Sequence, residues 1–108
     1  MAQIARFLYG VGRLTYDIQQ PHVLKYTHRH KGVELHHDKC DITMSLMMSR
    51  SNQYTGGGTY FQDADTNVRL EFGEFLLHPG SVVHGGTNIC DGTRLLMVVF
   101  ADVEHKAY

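Results

Sequence analysis

The stretch HHDKC, residues 36–40, sets His36 and Asp38 two positions apart with His37 between them. On a β-strand, residues i and i+2 project to one side, so this imidazole and this carboxylate would face one cavity while His37 points away. Both groups are metal donors. A third donor must come from elsewhere, and His84, in SVVHGG at the end of a predicted strand, is the best-placed candidate. Two imidazoles and one carboxylate on one side of a metal suit Fe(II) and leave the opposite positions open for chemistry. Arg94 follows ten residues after His84, where the run LLMVVFA begins. A guanidinium in so apolar a setting should be buried, and a buried charge needs a partner.

The elements that would position these groups are short strands. HVLKYT and VELHH are brief and rich in β-branched or aromatic residues. ITMSLMMS alternates, with Ile42, Met44, Leu46 and Met48 on one face and Thr43, Ser45, Met47 and Ser49 on the other. YTGGGTYF is a glycine-rich turn running into a strand, and NVRLEF alternates Val68, Leu70 and Phe72 against polar neighbours. EFLLH and SVVH are separated by the turn signal Pro79-Gly80, and RLLMVVFA reads as a strand buried on both faces. Short strands with turn signals at roughly 8–12-residue spacing predict an all-β fold, a sandwich or a jelly roll (double-stranded β-helix), with two sheets closing on one core. Ile4, Phe7, Leu8 and Val11 stand at helical spacing, which predicts a short N-terminal helix limited by Gly10 and Gly12.

With 108 residues, 43% of them hydrophobic, the chain reads as a single domain, 1–108, whose core leaves little to spare. A net charge of −1 lacks the basic excess of a nucleic-acid or anionic-membrane surface, so neither partner is expected. There is no apolar run of membrane-spanning length and no signal-peptide pattern, so the expected location is cytoplasmic. Cys40 and Cys90 do not make a disulfide framework and are expected to be small buried thiols. Of eight histidines, five (His28, His30, His36, His37 and His84) fall near the predicted site.

Taken in order, Tyr26, His36-x-Asp38, Tyr54 through Phe61, Gly73 through His84 and Gly92-Thr93-Arg94 resemble the prolyl and lysyl hydroxylase branch of the 2-oxoglutarate- and Fe(II)-dependent dioxygenases. The resemblance spans about residues 21–102, and HHD, GGG and HPG bring it nearest to the procollagen lysyl hydroxylases. It implies that His36, Asp38 and His84 hold Fe(II), and that 2-oxoglutarate and dioxygen take the remaining positions. Arg94 would receive the far carboxylate of 2-oxoglutarate as a planar fork. Thr43 and Ser45 would hydrogen-bond the cosubstrate, and Tyr26 would close the wall of its pocket. The implied reaction hydroxylates an unactivated C–H bond of a peptide or small-molecule substrate and releases succinate and CO2. Ascorbate would keep the iron reduced.

Two departures from the family pattern stand out. Met47 occupies the position at which many relatives carry a tyrosine for the far carboxylate. Only about twenty residues precede the predicted barrel, where relatives carry helices over the larger sheet. An uncovered apolar sheet face predicts a homodimer, a missing N-terminal region or weak stability. Two other readings stay open. His28-x-His30-x3-Glu34 together with His84 resembles the ligand set of a cupin metal protein, and a jelly roll could serve as a non-catalytic binding module. Loops 27–34 and 50–58, which would choose a substrate, carry no specificity code.

Overall fold

The computed structural model describes the backbone of residues 13–16 and 21–104. The helix predicted over residues 4–11 lies outside these. Among the described residues the chain is all-β apart from one 3-10 turn, Ser51–Gln53. The strands are β1 (Arg13–Tyr16), β2 (His22–Tyr26), β3 (Val33–His36), β4 (Ile42–Met47), β5 (Tyr54–Gly56) and β6 (Thr59–Phe61). They continue as β7 (Thr66–Val68), β8 (Phe75–Pro79), β9 (His84–Gly86), β10 (Ile89–Gly92) and β11 (Arg94–Glu104).

The larger sheet runs β1-β11-β4-β8, and β2 pairs with the first half of β11 on the edge whose second half holds β1. The smaller sheet runs β3-β9-β6-β7, and β5 and β10 form a two-stranded ribbon. All pairings are antiparallel. The two sheets enclose one cavity, lined on one side by residues of β2, β4, β8 and β11 and on the other by residues of β3, β6 and β9. This is the expected jelly roll.

The continuous apolar run of β11 follows from its central place between β4 and the β1/β2 edge. Leu96 and Val98 are buried toward the cavity, and Val99 and Ala101 are buried on the other face. In β4 the usual alternation is inverted. Its hydroxyl-bearing register faces in, with Thr43 at 2%, Ser45 at 5% and Met47 at 1% exposure, while Met44 and Leu46 face out and are half-buried. The outer face continues across β2 and β8 to Val23 and Phe75, both more than half exposed.

Several boundaries differ from the sequence reading. His84 opens a strand instead of ending one, because residues 80–82 are spent on a turn in which the Val82 N–H donates to the Pro79 carbonyl. The strand predicted over NVRLEF shortens to Thr66–Val68. Cys90 is exposed and Cys40 half-buried, so the expectation of two buried thiols fails, since Cys90 falls on the outward side of the β10 ribbon.

Gly80 packs so closely that a Cβ there would lie 2.1 Å from the Cys40 carbonyl oxygen. Its own carbonyl accepts the Asp38 N–H at 2.8 Å. Gly80→Ala is therefore expected to destabilise the fold by roughly 1–3 kcal/mol and to displace Asp38. Thermal denaturation and a metal titration of the variant check both effects.

Candidate metal centre

His36, Asp38 and His84 come together at one end of the cavity. One donor atom from each lies within 4.8 Å of the others. β3 ends at His36, so Asp38 is two residues past the strand, and the backbone bond to Gly80 holds it in place. Pairing of β3 with β9 puts His36 opposite His84. The structure brings together the pair that the i, i+2 spacing singled out, although only its first member is on a strand.

The tautomers are fixed by carbonyls. His36 Nδ1 donates to the Glu34 carbonyl at 2.7 Å, and His84 Nδ1 donates to the Val82 carbonyl at 2.9 Å. A carbonyl can only accept, so each ring carries its proton on Nδ1 and presents the Nε2 lone pair. Those Nε2 atoms face the Asp38 carboxylate, at 3.3 Å from Oδ1 for His36 and 3.2 Å from Oδ2 for His84. Donors at right angles around an ion ~2.1 Å away stand about 3 Å apart, so this spacing fits a divalent transition metal. The Asp38 and His84 side chains are 8% and 9% exposed and that of His36 is 42% exposed. The site is therefore open on the His36 side.

Thr43 was expected to meet the cosubstrate. Its hydroxyl instead donates to Asp38 Oδ2 at 2.6 Å, and Cys40 Sγ lies 3.4 Å from the same hydroxyl. That bond fixes the orientation of the carboxylate between the two Nε2 atoms. Thr43→Val, which keeps the shape and removes the donor, is expected to weaken divalent-metal affinity about 10–100-fold, as calorimetric titration would read. Ser45 is buried and lines the cavity, as does Tyr26. Burial raises the Tyr26 phenol above its ordinary value, with the charge of Arg94 pulling the other way.

His78 is a third histidine at the site, one that the sequence reading did not single out. It is buried, its ring centroid lies 4.4 Å from that of His84, and Phe61 meets its edge at 5.2 Å. Its Nδ1 donates to the Pro79 carbonyl, and burial lowers its pKa, favouring a neutral ring packed against the His84 ligand face. The available signal was register, since His78 pairs with Thr43 across β4 and β8. His28 and His30 lie exposed around the Thr27–His30 turn. Neither they nor Glu34 belong to the three-residue donor group.

Arg94 is 1% exposed, the first residue of β11 and the register partner of Tyr26, whose ring lies 4.9 Å from its guanidinium carbon. Among the described residues none of Nε, Nη1 and Nη2 has a hydrogen-bond partner. The cavity, about 190 Å³, runs from the His/Asp cluster along Leu96, Val98 and Phe100 to Tyr26.

No protein-family model matches the chain. An RmlC-like cupin protein from Desulfovibrio desulfuricans is 14% identical, with a TM-score of 0.47 over 80% of this chain and 77% of that one. A PKHD-type hydroxylase of Saccharophagus degradans is 32% identical over 59 residues, 53% of this chain and 26% of the relative. Another, from Synechococcus sp. strain CC9902, is 33% identical over 64 residues, 57% of this chain and 29% of the relative. The matched part spans little more than a quarter of the length of these relatives. Over that part the chain is a distant sequence relative of PKHD-type hydroxylases.

Proposed function

We propose that this chain carries the catalytic centre of an Fe(II)- and 2-oxoglutarate-dependent hydroxylase acting on prolyl or lysyl residues. The observation that carries the reading is one arrangement. Two Nε2 lone pairs and a carboxylate converge at one end of a cavity, and a buried guanidinium without a partner lies beyond its other end. A buried cation costs several kcal/mol unless paired, so the arginine fits a fold that expects an anion. Fe(II) held there with 2-oxoglutarate would supply oxidative decarboxylation by dioxygen, yielding succinate, CO2 and a hydroxylated C–H bond.

The chain's own residues do the positioning. His36, Asp38 and His84 hold the metal, and the Thr43 hydroxyl orients the carboxylate of Asp38. Arg94, against the Tyr26 ring at that end, takes the far carboxylate of 2-oxoglutarate as a planar fork. Ser45 supplies a hydroxyl midway, and Leu96, Val98 and Phe100 exclude water from the reacting centre. The open His36 side is the approach for substrate.

The test combines Fe(II), 2-oxoglutarate, ascorbate and dioxygen with the protein, and follows succinate with and without peptides containing proline or lysine. Succinate that rises with one peptide class is expected. Metal-loaded protein that makes none in any mixture would leave a binding barrel as the reading.

A further inference from the structure

Four buried side-chain polar atoms lack a hydrogen-bond partner among the described residues. Three are the Arg94 nitrogens and the fourth is the hydroxyl of Tyr54. Their neighbourhood is not accidental. Gly92 pairs with Tyr54 across the β10–β5 ribbon and stands two residues before Arg94. A Cβ on Gly57 would lie 3.3 Å from Arg94 Cδ and 3.4 Å from Tyr54 Cε2, so both side chains flank one point. Gly57 has φ +76°, and a residue without a side chain keeps that point clear.

The Tyr54 ring is fixed from outside. The Arg69 guanidinium carbon lies 4.4 Å from its centroid, and Arg69 Nη2 donates to the Tyr54 carbonyl at 3.3 Å. A 3% exposed tyrosine normally satisfies its hydroxyl within the protein. Here the phenol is buried, held still and unpaired beside an unpaired guanidinium. That combination is costly in the ligand-free chain and useful only when an acceptor arrives.

We propose that Tyr54 donates its hydroxyl to the same carboxylate that Arg94 takes, so that the two side chains form a single anion site. The inference rests on the reading of Arg94 as the partner of the far carboxylate of 2-oxoglutarate. It also answers the departure at Met47, which is 1% exposed core and carries no donor. The hydroxyl missing from β4 is supplied by β5.

The test is calorimetric binding to Mn(II)-loaded protein, comparing 2-oxoglutarate with 2-oxobutyrate, which lacks the far carboxylate. Tyr54→Phe is expected to weaken 2-oxoglutarate roughly tenfold or more and to leave 2-oxobutyrate unchanged. The ligand-free variant should melt no lower than the parent, because the deleted hydroxyl has no protein partner. Equal weakening of both ligands, or a lower melting temperature, would make Tyr54 structural and overturn the proposal. Unchanged 2-oxoglutarate binding in Tyr54→Phe, with loss in Arg94→Met, would overturn it while keeping the arginine site. If Arg94→Met also binds both ligands as the parent does, the reading beneath the proposal fails with it.

Discussion

Replacing Asp38 with alanine is expected to abolish retention of Fe(II) and, with it, succinate formation. The carboxylate is the only anionic donor in the cluster, and both imidazoles face it within 3.3 Å. Without it, two neutral rings are left to hold a divalent ion. Loss of an outer contact such as Thr43 is worth about 10–100-fold in metal affinity, and loss of a ligand should exceed that. Asp38→Asn separates charge from shape, since the amide oxygen can still accept from Thr43 while the anion is gone. It should behave like alanine toward the metal and like the parent in melting temperature. The contrasting variant is His28→Ala/His30→Ala, which removes two exposed imidazoles outside the donor group. It should keep its iron. Metal analysis showing iron lost from this double variant and kept by Asp38→Ala would move the site to the cupin-like ligands.

The parts of this architecture that sequence made legible are those that local rules govern. Strand periodicity put His36 and Asp38 on one side, and turn residues divided the chain into short antiparallel strands. Arg94 could be read as buried because its run continues as LLMVVFA. What stayed hidden depends on pairing. Nothing local to ITMSLMMS says that its hydroxyl face turns inward, because either register could pack and only the partner strands decide. The Thr43–Asp38 bond and the His78–His84 contact follow from that choice, as does Tyr54 beside Arg94, which needs the β10–β5 register. The inversion in β4 also accounts for the apolar outer face. A cavity that needs hydroxyls takes them from one register and sends the methionines and leucines of the other outward.

Arg94→Met should separate stability from binding in a way few buried substitutions can. The guanidinium is 1% exposed with three nitrogens unpaired among the described residues, so in the ligand-free fold the Tyr26 side chain, its ring above all, is what offsets its desolvation. That ring contact is worth about 0.5–2 kcal/mol. Exchanging buried charged groups for apolar ones of similar volume gains about 1–4 kcal/mol even when the charges were paired. The gain exceeds the loss, and the ligand-free variant should melt at or above the parent temperature. With 2-oxoglutarate present the order reverses. Removing one partner of a buried charge pair costs about 3–5 kcal/mol, so affinity should fall roughly 10²–10⁴-fold. The upward shift of melting temperature that saturating 2-oxoglutarate gives the parent should then vanish. A variant that melts several degrees lower while its ligand-induced shift survives would assign Arg94 to holding the barrel together, and the far carboxylate would need another partner.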